Sequence, residues 1–181
     1  MRDQVELLIH PATHNEAIRR IAASIARDAE TLQFSYRIEG NIAALRLPAQ
    51  SEALRADSLW QHSCFEAFLK ADGNDSYYEF NFAPSGAWAV YCFAARRQDR
   101  ESPALAAPSI ASRRDAESFG MNVSLPLATV PELAAAGAIE AGLAAVIEDA
   151  RGLLSYWALA HAAREPDFHD PATFLCRLGA R

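Results

Sequence analysis

The sequence predicts an all-β domain of antiparallel strands folded as a sandwich, on three observations. Short runs alternate apolar and polar residues, as half-buried strands do. Each run closes on Gly, Pro, Asn or Asp, the residues that make tight turns. With 181 residues and 51% hydrophobic content, the chain can bury one core without disulfides or a structural metal.

In chain order, Val5–Ile9 opens the series. Ile18, Ile21, Ala22 and Ile25 lie at helical spacing with Asn15 as a possible cap, so periodicity alone favours a helix, but Ile21, Ala23 and Ile25 also fit the inward face of a strand. Leu32, Phe34, Tyr36 and Ile38 then alternate with Gln33, Ser35, Arg37 and Glu39. Glu39-Gly40-Asn41 reads as a hairpin turn, with residues 42–47 as the returning strand and Pro48 as its stop. A polar stretch, 49–58, leads to the segments 59–69 and 77–91, which imply adjacent strands joined by a turn at 71–75. Residues 98–107 read as a surface loop between prolines. Phe119, Met121, Val123 and Leu125 alternate again. Pro131 suits the first turn of a short helix over 130–136 that stops at Gly137. Two more strands are expected at 139–147 and 153–159.

Seventeen basic and 23 acidic residues leave a formal charge of −6. The basic residues are scattered, so nucleic acid is not an expected partner. No apolar stretch is long enough to span a bilayer. The opening residues lack the pattern of a secretory signal, and Cys64, Cys92 and Cys176 lack metal-ligand spacing, which predicts reduced core thiols and a cytoplasmic protein.

Candidate chemistry lies in two clusters. In the strand around residue 80, Tyr78, Phe80 and Phe82 share one face and Tyr77, Glu79 and Asn81 the other. The first face reads as core; the second suits either a polar ligand or solvent. Glu66 shares its face with Cys64 and Phe68, where a buried carboxylate needs a partner such as Arg96 or His62. In the second cluster, 155–174, alternation puts Ser155, Trp157, Leu159 and His161 on one side and Tyr156 on the other. The Pro166 to Pro171 loop carries Asp167, His169 and Asp170, which serve either as metal ligands or as turn and cap formers. His62 and His161 are candidate haem ligands or packing residues. No metal and no cofactor is assigned, haem and a divalent cation being the alternatives.

Four stretches carry a family resemblance: Leu59-Trp60; Cys64-Phe65-Glu66-Ala67-Phe68; Tyr78-Glu79-Phe80-Asn81-Phe82-Ala83-Pro84; and Tyr156-Trp157-Ala158-Leu159 through His169. In order and spacing, from the His10-Pro11 pair to Phe174, the chain resembles the bacterial DOMON-like proteins, related to family 9 carbohydrate-binding modules. That resemblance implies two antiparallel sheets, ligand binding on a sheet face or rim, and relatives that hold sugar or haem. It favours a strand around Ile21. It also makes Trp60 and Trp157 candidates for an aromatic platform, with core packing as the alternative, whereas Trp88 reads as core.

The expected function is a non-catalytic module for a carbohydrate or similar small polar ligand, using Trp60, His62, Glu66, Tyr77, Glu79, Asn81, Trp157, His161 and His169. The alternatives are a haem-binding domain, an interaction domain or homo-oligomer that needs no pocket, and a glycoside-acting enzyme with Glu66 and Glu79 as paired carboxylates.

Overall fold

The computed structural model describes residues 4–52 and 54–179. Met1 to Asp3 of the opening segment and Ala53 of the polar stretch lie outside it. The chain forms an 11-stranded antiparallel sheet with very little helix. The strands are β1 (Val5–Ile9), β2 (Ile18–Arg27), β3 (Thr31–Gly40), β4 (Cys64–Ala71), β5 (Tyr77–Phe82), β6 (Trp88–Phe93), β7 (Ser109–Arg114), β8 (Ser118–Pro126), β9 (Ala138–Glu148), β10 (Leu154–Ala158) and β11 (Cys176–Gly179). Their order is β6-β5-β4-β9-β10-β1-β2-β3-β8-β7, with β11 alongside β9.

One hydrogen-bonded path runs through ten of them because β1 serves two neighbours. Val5 to Leu7 pair with β2, while Leu8 and Ile9 pair with β10. At that strand the sheet curls, and its two halves meet over a shared core. Phe34 of β3 lies 5.6 Å from Phe82 of β5, and Tyr36 lies 4.9 Å from Phe65 of β4. Phe65 in turn stacks on Phe119 of β8. Fully buried Tyr36 also donates its hydroxyl to the Glu66 carbonyl at 2.8 Å, a polar tie across the apolar interior.

The ambiguous segment is strand β2, paired on both sides. Ile18, Ile21 and Ala23 enter the core, and the helical spacing arises because a register shift between Ile18 and Arg20 brings Ile18 in beside Ile21 while Ala22, on the opposite face, is buried as well. The returning hairpin strand over 42–47 does not form. Both edges of β3 are taken, by β2 and β8, so the chain after Gly40 turns through a 3-10 helix, Ile42–Ala44. The short helix does form, as α1 (Pro131–Ala135), and buried Arg27 donates to the carbonyls of Ala134 and Ala136 at its end. Among the described residues no helix is long and apolar enough to cross a membrane.

What positions the site is that β4, β5, β6 and β9 are buried on both faces. Phe65, Phe80, Val90 and Leu143 face the shared core. Phe68, Tyr77, Tyr91 and Val146 face a second apolar cluster on the outer side. The chain from Pro166 to Phe174 lies over that outer side. Phe174 approaches β9 at Gly142, where even a β-carbon would stand 3.0 Å from its ring.

Removing the Tyr36 hydroxyl tests the cross-core tie. Tyr36→Phe is expected to lose about 1 kcal/mol, a fall of roughly 2–4 °C in melting temperature for a chain of this length. An unchanged melting curve would show that the bond adds nothing.

Candidate functional site

Strand parity builds the floor. On β4 and β5 the outward residues are Glu66 and Phe68, then Tyr77, Glu79 and Asn81. The register sets Glu66 opposite Asn81 and Phe68 opposite Glu79, so both carboxyls share one face on neighbouring strands. Phe93 of β6, Val146 of β9 and Tyr156 of β10 extend this surface. The walls come from connections. The 3-10 helix Leu59–Gln61 brings Trp60, whose ring meets Tyr91 edge-on at 5.8 Å. The turn after β6 brings Arg97 and Arg100, and the chain after β10 brings Pro166, Phe168 and His169. These residues enclose a cavity of about 420 Å³, within the size range of small-molecule sites.

The wall segments are pinned to one another. Asp167 accepts from Arg96 at 2.6 Å and from Arg97 at 2.8 Å, and Asp170 pairs with Arg96 at 3.0 Å. Burial works to raise the Asp167 carboxyl, but its arginine bonds outweigh that and hold it at about 2. Asp170 also caps the 3-10 helix Pro171–Thr173 through the Ala172 N–H. The two aspartates are thus engaged with arginines and turns. Among the described residues no group of three His, Cys, Asp or Glu is arranged to hold a metal ion.

Beneath the cavity runs an ordered polar chain. The Arg97 N–H donates to the Tyr77 hydroxyl at 3.1 Å, and that hydroxyl lies 2.8 Å from His169 Nδ1. The arrangement that satisfies every group has Tyr77 donating to Nδ1. The imidazole proton then sits on Nε2, 3.5 Å from Glu79 Oε2. Burial first, then the Arg97 charge, lowers His169 to about 4, so it is neutral at neutral pH. Asn81, wholly buried, donates to Glu79 Oε1 at 2.7 Å and its carbonyl oxygen accepts from the Cys64 thiol.

Glu66 has no such support. It is 3% exposed, and its Oε1 is buried without a hydrogen-bond partner among the described residues. An unmade bond of this kind costs about 1–3 kcal/mol. Burial and then the Glu79 charge push its carboxyl well above the usual carboxylate range, against an opposing pull from Arg97. Burial also raises Glu79, but Asn81, Arg97 and Arg100 work to keep it ionised. Of the two, Glu66 is the carboxyl whose surroundings favour the neutral acid more.

Of the nine candidate residues, Trp60, Glu66, Glu79 and His169 line the cavity. Tyr77 and Asn81 belong to the chain beneath it. The other three lie elsewhere. Trp157 is a core residue, 6% exposed, with its indole N–H on Ser155 Oγ at 3.0 Å. His62 is exposed, pairs with Glu148 at 2.8 Å and borders a different cavity. His161 is hydrogen-bonded to the Leu8 carbonyl and packs edge-on against His10. The expected partners of Glu66 are engaged elsewhere, Arg96 with the aspartates and His62 with Glu148. Sequence reading missed Arg97, Arg100, Phe93, Phe168 and Tyr156. Tyr156 alone was legible, since alternation placed it opposite Trp157.

The backbone is strained where the walls are. Among the described residues the non-glycine residues with positive φ are Ser58, Arg97 and Asp99, at 61°, 55° and 49°. Ser58 starts the turn that holds Trp60, and the other two shape the turn that presents Arg97 and Arg100. Such conformations persist where surrounding structure enforces them, and they concentrate at functional sites.

No family model and no curated protein sequence matches this chain. Solved structures do. A proposed carbohydrate-binding protein from Bacteroides uniformis superposes with a TM-score of 0.75 at 15% identity, over 99% of this chain and 87% of that one. The fold is like that of family 9 carbohydrate-binding modules. One such module from Caldicellulosiruptor kristjanssonii, in complex with glucose, matches with a TM-score of 0.56 at 9% identity, over 98% of this chain and 84% of that one. In complex with cellotriose, a family 9 module of that organism matches at 0.59 and 8%, over 99% and 83%. At these identities the likeness is one of fold.

The protonation of Glu66 has a testable sign. An unfolded glutamate ionises near about 4.3, whereas the folded site holds the proton to higher pH. Stability tied to this group is therefore full below that value and lost as pH rises through the folded one. Glutamine cannot ionise. Glu66→Gln is expected to raise the melting temperature at pH 8 and to move it by less than about 2 °C at pH 4. A variant less stable than wild type at pH 8 would show that Glu66 is charged and satisfied.

Proposed function

We propose that the protein is a non-catalytic carbohydrate-binding module, built as a sandwich of two sheets joined through β1, whose ligand occupies the cavity over the outer face of β4, β5 and β9. The observation that carries this reading is the pairing of surfaces in one hollow. Trp60, Phe93, Tyr156 and Phe168 offer ring faces and edges to the apolar side of a sugar. Glu66, Glu79, Arg97 and Arg100 offer donors and acceptors to its hydroxyls. The fold likeness to modules crystallised with glucose and cellotriose supports the same reading.

A glycoside-acting enzyme is the second reading, favoured by the shared face of Glu66 and Glu79. An aryl-glycoside assay separates the two, because any turnover abolished by Glu79→Gln would make the site catalytic.

Calorimetric titration with glucose and cellotriose tests the binding reading. Trp60→Ala is expected to weaken binding about tenfold, as loss of a stacking ring does, and to shift the melting temperature by less than about 2 °C. Wild-type protein that binds neither sugar, or Trp60→Ala that binds like wild type, would overturn it.

A further inference from the structure

The cavity floor holds two carboxyl groups in unlike states, and their neighbours fix which is which. Glu79 faces donors on both oxygens: Asn81 Nδ2 at 2.7 Å on Oε1, and His169 Nε2 at 3.5 Å from Oε2. The tautomer of His169 is set in turn by Tyr77 and the Arg97 amide. Glu79 is thus built to accept. Glu66 has the opposite surroundings. Across one ladder it meets Asn81, already engaged with Glu79 and Cys64. Across the other it meets Ala144 of β9, which offers no polar group. Tyr36, from the far side of the core, bonds the Glu66 backbone carbonyl and leaves its side chain alone. The charged groups that bear on it are Glu79 and Arg97. Its Oε1 is buried without a partner among the described residues, and the residue itself lines the cavity, so the hydrogen-bonding capacity the protein leaves unmet lies at that hollow.

We propose that Glu66 reads the ligand as a neutral acid, donating its hydroxyl to an oxygen of the bound sugar while Glu79 beside it accepts from a neighbouring hydroxyl. The inference rests on the carbohydrate reading of the site and gives it a direction. The ligand must set a hydrogen-bond acceptor over β4 and a donor over β5. It is a sugar with adjacent oxygens, one of which need carry no hydrogen. At that position a ring oxygen, a glycosidic oxygen or an O-methyl group serves as well as a hydroxyl; over Glu79 a group that donates a hydrogen is required.

Two variants and one spectrum test this, with cellotriose and glucose as probes. Glu66→Met, which has similar bulk and no donor, is expected to weaken binding about tenfold or more, equivalent to roughly 1.4 kcal/mol. Glu66→Gln keeps an N–H donor and is expected to recover most of that loss. Glu79→Gln, which puts a donor where an acceptor is required, is expected to bind as weakly as Glu66→Met. In ligand-free wild type at pH 7, the infrared carbonyl band of a protonated carboxylic acid is expected, and it disappears in Glu66→Gln. Glu66→Gln as damaging as Glu66→Met, or no such band, overturns the donor role while carbohydrate binding stands. Wild-type protein that shows the band but binds neither sugar overturns carbohydrate binding, and the reading role of Glu66 with it.

Discussion

In β4, β5 and β9 both faces of the sheet are buried, and the rest of the structure follows from that constraint. A strand with one wet face can leave its polar groups to solvent; these strands cannot. The side chains of Glu66, Glu79 and Asn81 were committed to the interior once Phe65, Phe80 and Phe82 filled the opposite face. Each must then be satisfied inside the protein or carry its cost. Asn81 and Glu79 are satisfied by each other and by their neighbours. Glu66 is left over, and the deficit sits at the floor of the cavity.

The covering segment makes this burial possible. Phe168 and Phe174 close over Phe68, and the Asp167 bridges to Arg96 and Arg97 draw the covering chain against the turn after β6. The bridges are half exposed and contribute modestly to stability. Their larger effect is on placement. Arg97 joins the covering chain through its guanidinium and the floor through its amide, so the wall and the polar chain beneath it are fixed by one residue. Arg100, one turn further on, lies over the Tyr91 ring at 5.0 Å, and no carboxylate salt bridge involves it among the described residues. Its charge also acts on Glu79 at the floor.

Much of the floor was legible in the sequence because a strand's period is two. Tyr78, Phe80 and Phe82 against Tyr77, Glu79 and Asn81 is a pattern with one reading, and the structure has it. Parity also assigned Trp157 and Tyr156 to opposite sides, but not which side was which, since both residues are large, apolar-bodied and carry one donor. Ser155 settles that locally: its hydroxyl links Asn15, the Ile147 carbonyl and the Trp157 indole, a set of contacts over 140 residues that no window of sequence contains. The return strand after Gly40 failed for a similar reason. Glu39-Gly40-Asn41 carries the residues of a hairpin turn and yet makes none, because β8, from far along the chain, takes the edge of β3. Arg97 and Arg100 were illegible because loops carry no period, and a charged residue in a polar stretch reads as solvated.

The strained turns and the unpartnered acid are the same kind of evidence seen at two levels. Ser58, Arg97 and Asp99 hold backbone conformations that ordinary residues avoid, and Glu66 holds a carboxyl where apolar packing would be more stable. Each could be relieved by a single substitution, glycine at the turns or an apolar side chain of similar bulk on the strand, without disturbing the shared core between the two halves of the sheet. All four lie on the cavity or on the segments that shape it, and the shared core shows nothing comparable. A fold selected for stability alone would scatter such defects or lose them. Their confinement to one hollow is what distinguishes a surface built to hold a ligand from a sheet face that happens to be covered.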